Sequence, residues 1–177
     1  MKGFNFQFRH PDSVSDIQRV IDFLSKQPLG YPNYDSWVQR TEAELQSGYK
    51  QVIMALSDDK LVGDLVYQPH KQLPRIREIK NLRIHPKLRR RDFAHFMIRQ
   101  AEEHKKEDFD AIIIDSRTDN PSMMQFLTFC GYVPIAQTPL YDSTCPDVVM
   151  IKSFNERTER GIVYKAKKII LNQTPRN

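Results

Sequence analysis

Apolar residues alternate from Phe4 to Arg9 (Phe4, Phe6, Phe8), the pattern of a strand with one buried face. The period then lengthens. Ile17, Val20, Ile21 and Leu24 share one helical face, with Ser13 placed as N-cap before them and Pro28 as the stop after them. A loop rich in Gly, Pro, Tyr and Asn follows from Pro28 to Tyr34, and Asp35 is placed to cap a second helix that runs through Leu45 to Gly48. Val52–Leu56 and Leu61–Tyr67 are apolar runs joined by Ser57-Asp58-Asp59-Lys60, which predicts a hairpin. Glu78–His85 is a further strand, ended by Pro86.

Phe93, Met97 and Ala101 then line up on a helix, with Ala94 and Ile98 beside them, as a core-facing stripe does. Ala111–Ile114 is short and wholly apolar, which suits a strand buried on both faces. Asn120 and Pro121 read as N-cap and first residue of a helix carrying Met123, Met124, Phe126, Leu127 and Phe129, closed by Gly131. Tyr132–Ala136 and Val148–Ile151 complete the pattern as strands. The order β-α-α-β-β-β-α-β-α-β-β predicts an α/β (α+β) fold, a mixed sheet flanked by helices. Residues 1–154 read as the domain. Residues 155–177 read as a basic C-terminal extension with two apolar patches, Ile162–Val163 and Ile169–Leu171.

Composition narrows the class. A chain of 177 residues fits one domain with a real core, and 40% apolar with 28% charged residues excludes a disordered chain. No apolar run approaches the roughly 20 residues of a membrane helix. A charge and Pro11 interrupt the N-terminal stretch before any signal-peptide core can form. The two cysteines, Cys130 in an apolar helix face and Cys145 in a loop, do not make a disulfide framework, and the five histidines are scattered. The expectations are a cytoplasmic protein, no metal and no membrane. The net charge of +5 and the isoelectric point of about 9.2 favour an anionic partner. That charge is concentrated at Lys87, Arg89, Arg90 and Arg91, and again at Arg157, Arg160, Lys165, Lys167 and Lys168.

The first basic cluster sits where a strand runs through a short turn into a helix. Free backbone N–H groups at a helix start, together with the helix dipole, attract phosphate oxygens, and three successive arginines add charge there. The run Leu82-Arg83-Ile84-His85-Pro86, followed by Arg89-Arg90-Arg91-Asp92-Phe93-Ala94, resembles the central motif of GNAT acyltransferases. Asn120-Pro-Ser-Met-Met-Gln-Phe-Leu-Thr-Phe-Cys-Gly-Tyr132 is similar to the family's second motif, and Lys60-Leu-Val-Gly-Asp64 to its hairpin. The three stand in the family's order over residues 4–152.

The resemblance implies acetyl-CoA as co-substrate and an amine as acceptor. Leu82, Arg83 and Ile84 would face its pantetheine, Arg89 to Ala94 its pyrophosphate, and Asn120 of the second motif would also bind it. It places Tyr31, Tyr34 and Trp37 in the segment that shapes the acceptor pocket. Two positions depart from the pattern: Asp92 stands where the turn has glycine, and Leu127 where the family's general-acid tyrosine often stands. Acyl transfer needs a neutral amine and a protonated leaving thiolate. The resemblance puts candidate bases on the two central strands, here Glu78 and Asp115, and makes Tyr141, in the loop between the last strands, a candidate replacement for the missing acid. Asp115 also reads as a strand-end cap, Glu78 as an ion partner of Arg75, Arg77 or Lys80, and Tyr141 as an ordinary half-buried tyrosine. Three functions stand: an acetyl-CoA-dependent N-acetyltransferase; a GNAT-fold binding or sensor module without transfer chemistry, favoured by Asp92 and Leu127; and an RNA-directed acetyltransferase, suggested by the basic tail. A homodimer is a further expectation.

Overall fold

The computed structural model describes residues 5–28, 30–141, 144–155 and 159–172. Phe4 and Arg157, named above, lie outside them. In chain order the elements are β1 (Phe6–Arg9), α1 (Val14–Lys26), α2 (Tyr34–Gln46), β2 (Gln51–Ser57), β3 (Lys60–Pro69), β4 (Ile76–Ile84), α3 (Phe93–Glu103), β5 (Ala111–Arg117), α4 (Pro121–Phe129), β6 (Val133–Thr138), β7 (Asp147–Ser153) and α5 (Glu159–Leu171). The strands form one mixed sheet in the order β1-β2-β3-β4-β5-β7-β6, flanked by helices as expected. The chain divides into two compact units, Met1–Gln68 with Lys80–His104 and Pro69–Ile79 with Lys105–Asn177, so that β4 contributes to both.

In the first unit the local signals explain most boundaries. Ser13 Oγ accepts the Asp16 N–H at 3.2 Å and starts α1. α2 begins at Tyr34, two residues earlier than an Asp35 cap would start it. Its cap residue is Asn33, left-handed at φ 58° and without a side-chain cap bond, which leaves Asp35 in the first turn to complement the helix dipole. The hairpin turn is Asp58-Asp59, both left-handed (φ 46° and 61°), with Ser57 opposite Lys60. That is the primed geometry whose twist matches antiparallel strands. Val52, Met54 and Leu56 of β2 pack against Val20, Leu24, Val38 and Leu45 of α1 and α2. Each fully buried side chain of this kind contributes roughly 1.5–3 kcal/mol. The alternating phenylalanines of β1 meet α3 instead, the Phe6 and Phe8 rings lying 4.9 and 5.4 Å from Phe93. A Cβ at Gly63 would stand 2.7 Å from the Arg83 carbonyl oxygen, so β3 requires glycine there.

In the second unit β4 and β5 pair in parallel, from Ile76 opposite Ala111 to Ile79 opposite Ile114. β7 lies antiparallel to β5 on one side and to β6 on the other. Ile112, Ile113 and Ile114 are all buried, as the apolar run required. α4 is capped by Asn120, whose Oδ1 accepts the Met123 N–H at 3.2 Å. The two apolar patches of the tail are turns of a single helix, α5. Ala166 and Ile170 are buried in the core made by Ile113, Ile135, Val149 and Ile151, with Ile162, Val163 and Ile169 packed beside them. Among the described residues no helix is long and apolar enough to cross a membrane.

Candidate active site

In the first unit, β4 ends at Ile84 and runs into a single 3-10 turn, Pro86–Leu88, where His85 Nδ1 accepts the Lys87 N–H. Arg90 (φ 62°) and Asp92 (φ 59°) are both left-handed. Asp92 thus adopts the backbone conformation that glycine would take, at a cost of about 1–2 kcal/mol. It occupies the cap position of α3, yet its side chain makes no cap hydrogen bond. Its carboxylate therefore does not cap the first N–H groups of α3. The first bond into the helix runs from Phe96 N–H to the Asp92 carbonyl at 3.0 Å. Arg89, Arg90, Arg91 and Asp92 are exposed, Phe93 is buried and Ala94 half-buried. Arg89 Nε donates to the Ile84 carbonyl at 3.3 Å. Three guanidinium groups and the first turn of a helix together attract an anion.

The three β4 residues before this turn differ. Leu82 is half-buried and Ile84 buried. The Arg83 side chain points inward and is fully engaged: Nε donates to Asn81 Oδ1 at 2.9 Å, Nη2 to the Tyr34 hydroxyl at 2.6 Å, and Nη1 to the Gln27 carbonyl. Tyr34 in turn donates to the Leu24 carbonyl at 3.0 Å. Asn81 donates to Asp64 Oδ2, while Asp64 Oδ1 has no hydrogen-bond partner among the described residues. Burial pushes the Asp64 carboxyl up to about 7, against the pull of Arg83 and Asn81. Arg83 therefore ties the end of α1 to the start of α2, and only its backbone remains available to a cofactor.

In the second unit Glu78, Asp115, His70, Ile113, Leu140, Val149 and Ile170 line one narrow pocket, with room for about a single water-sized group. Tyr141, in the loop after β6, donates its hydroxyl proton to Asp115 Oδ1 at 3.3 Å. The three candidates separated by the sequence are thus gathered: Glu78 buried on β4, Asp115 half-buried on β5, and Tyr141 half-buried in a loop. Arg75, one possible ion partner of Glu78, is held by Asp110 through Nε and Nη2 at 3.0 and 2.9 Å.

Two further residues belong to this region and carried no sequence signal. His70 Nδ1 accepts the N–H groups of Gln72 and Leu73 at 3.1 and 3.0 Å, which fixes the tautomer with the proton on Nε2. Asp147 is 1% exposed; its Oδ2 accepts the Leu140 N–H at 3.2 Å, and its Oδ1 has no partner among the described residues. Burial, and then the like charge of Asp115, push the Asp147 carboxyl up to about 6. Asn120 is occupied in capping α4, and Leu127 is fully buried, so position 127 offers no proton donor.

The sequence profile of the acetyltransferase (GNAT) family matches residues 17–132, a span that contains the basic turn, Glu78, Asp115 and α4. The chain belongs to the GNAT acetyltransferase family. The enzyme class is accordingly that of acyl-CoA N-acyltransferases. Solved GNAT structures share the fold at low identity. A GNAT-family protein from Desulfovibrio desulfuricans superposes with a TM-score of 0.72 at 11% identity, covering 84% of this chain and 99% of its own. The yncA protein of Salmonella typhimurium, determined with its cofactor acetyl-CoA, gives 0.68 at 12%, covering 86% and 95%. A dodecameric spermidine N-acetyltransferase from Vibrio cholerae gives 0.66 at 13%, covering 88% and 97%. No curated protein matches the chain by sequence.

Proposed function

We propose that this GNAT protein is a cytoplasmic enzyme that transfers an acetyl group from acetyl-CoA to a cationic amine, using Asp115 and Tyr141 as a proton relay. The observation that carries this reading is the 3.3 Å hydrogen bond from the Tyr141 hydroxyl to Asp115 Oδ1, beside Glu78 at the same pocket. Acetyl-CoA supplies a thioester activated toward amines. Its phosphates fit the donor set of the basic turn, Arg89, Arg90, Arg91 and the first N–H groups of α3 at Phe93 and Ala94. The backbone of Leu82–Ile84 is the matching place for its pantetheine. Asn120 enters this reading only as the cap that fixes where α4 begins.

The acceptor arrives as an ammonium ion, for which a pocket carrying Glu78 and Asp115 is electrostatically suited. Asp115 Oδ1 takes a proton from it and leaves the nitrogen lone pair free to attack. Once the nitrogen has attacked, it loses its second proton to solvent. As the carbon–sulfur bond breaks, Tyr141 gives its hydroxyl proton to the departing thiolate and recovers one from Asp115, so one proton is released per turnover and the pair is restored. Glu78 holds the positive charge of the incoming amine. Tyr141 thereby supplies what Leu127 lacks, which favours an enzyme over a binding module.

The test is a double-mutant cycle in acetyl transfer to a small diamine. Asp115→Asn and Tyr141→Phe are each expected to lower kcat by a factor of about 100 to 10,000, with the double variant little worse than either. Unchanged kcat in both variants would exclude the relay. Binding of CoA without any transfer would assign the protein to the sensor class.

A further inference from the structure

The outward side of α5 carries a pattern that acetyl transfer does not use. The inward side is committed to the core of the second unit through Ile162, Val163, Ala166, Ile169 and Ile170. With 3.6 residues per turn, Arg160, Tyr164, Lys167, Lys168 and Leu171 fall on the opposite side, and Lys165 flanks them. All six are exposed, Tyr164 to 69%. The four cations make no ion pair with any described residue. Arg75 and Arg117 of the same unit, by contrast, are paired with Asp110 and Asp119 at 2.9 and 3.0 Å. The acidic residue of the helix, Glu159, stands at its N-terminal end, away from the lysines.

We propose that this face of α5 binds unpaired RNA, with phosphates on Arg160, Lys165, Lys167 and Lys168 and one base stacked on the Tyr164 ring. The four cations extend over about 12 Å of helix, room for a short run of phosphates. A membrane surface is disfavoured because a helix that lies in a bilayer needs a free apolar side, and that side of α5 is buried in protein. A duplex offers phosphates but keeps its bases stacked, so it gains nothing from the ring. An acidic protein meets the charges and likewise leaves Tyr164 unused. Only an unpaired strand uses both the cations and the exposed aromatic face.

Fluorescence anisotropy of the full chain with a short labelled oligouridylate tests this. The logarithm of the affinity should fall against the logarithm of salt concentration with a slope of about −3, the value for four phosphate contacts on a single strand. Tyr164→Ala should weaken binding about 5- to 100-fold, the range of one base stack, and leave the slope unchanged. Replacing Arg160, Lys165, Lys167 and Lys168 together by Gln should abolish binding without altering thermal unfolding, since all four side chains are at the surface. Any of four results overturns the proposal. These are no binding at about 50 mM salt, native affinity in either variant, tighter binding to duplex DNA, or tighter binding to polyglutamate or phosphatidylserine vesicles.

Discussion

Asp64 in the first unit and Asp147 in the second are both almost inaccessible, at 0% and 1% exposure, but they are held by different neighbours. Asp64 has a hydrogen bond from Asn81 and the positive charge of Arg83 in its favour. Asp147 has the like charge of Asp115 against it. Neighbouring charges alone would put Asp64 lower, yet it is raised to about 7 and Asp147 only to about 6. Burial is the first cause in both, and it outweighs a single counter-charge when the carboxyl is wholly removed from water. Asp147 is partly relieved by the N–H groups of Leu140 and Tyr141 and by Arg117. The two units thus use a buried acid differently. Asp64 belongs to a framework that joins helices, whereas Asp147 feels the charge of Asp115, the residue proposed as base.

The strongest way to break the comparison is Arg83→Met. It leaves Asp64 without its counter-charge and strips donors from the Tyr34 hydroxyl and the Gln27 carbonyl. A loss of about 3–5 kcal/mol is expected by denaturant unfolding above pH 7, the scale for removing one partner of a buried pair. The loss should shrink in acid, where Asp64 carries a proton.

The two aspartates can then be set against each other. Their folded values are raised, so each contributes stability that is fully present below about pH 4 and is lost as pH rises, through about 7 for Asp64 and about 6 for Asp147. Asp64→Asn should remove up to about 4 kcal/mol of this acid-to-neutral decline, the equivalent of three pH units, and leave the pH profile of acetyl transfer where it is. Asp147→Asn should flatten a smaller part of the decline. It should also remove the part of the pH dependence of kcat/KM near pH 6 that comes from the negative charge Asp147 gains there beside Asp115. Equal kinetic effects in the two variants would erase the distinction drawn between the units.

The exposed Asp92 supplies the smallest effect. Asp92→Gly relieves a left-handed φ and should stabilise the fold by about 1 kcal/mol. Calorimetric titration with CoA should show tighter binding as the negative charge leaves the turn. Asp92→Ala, which keeps the strain, should gain affinity but not stability.

What could be read from the chain followed the range of the forces involved. Ser13 and Asn120 were recognisable caps because capping is completed within three residues, and both make the expected bond. The isoleucines of β5 declared their burial by being uninterrupted. The start of α2 at Asn33 was not legible, since a left-handed residue without a side-chain bond has no local signature. α5 was read as two patches because Ala166, the buried residue between them, is too small to register as apolar pattern. Glu78, Asp115 and Tyr141 came from the family resemblance and from loop position. His70 and Asp147 were missed because only the register of β7 against β5 and the turn after β3 bring them to that region. Whether a tyrosine meets a carboxylate is a fact of tertiary structure, beyond any window along the chain.

The placement of β7 has a consequence for biosynthesis. β7 separates β5 from β6, yet the ribosome makes it after both. During translation β5 therefore has a bare edge beside Ile112–Ile114, and β6 has no neighbour to pair with, until Ser153 has been added and released. The second unit closes only then, and α5, made later still, seals its core. A nascent chain that stalls before β7 presents an apolar edge strand to every other chain nearby, the kind of surface that recruits chaperones or seeds aggregates.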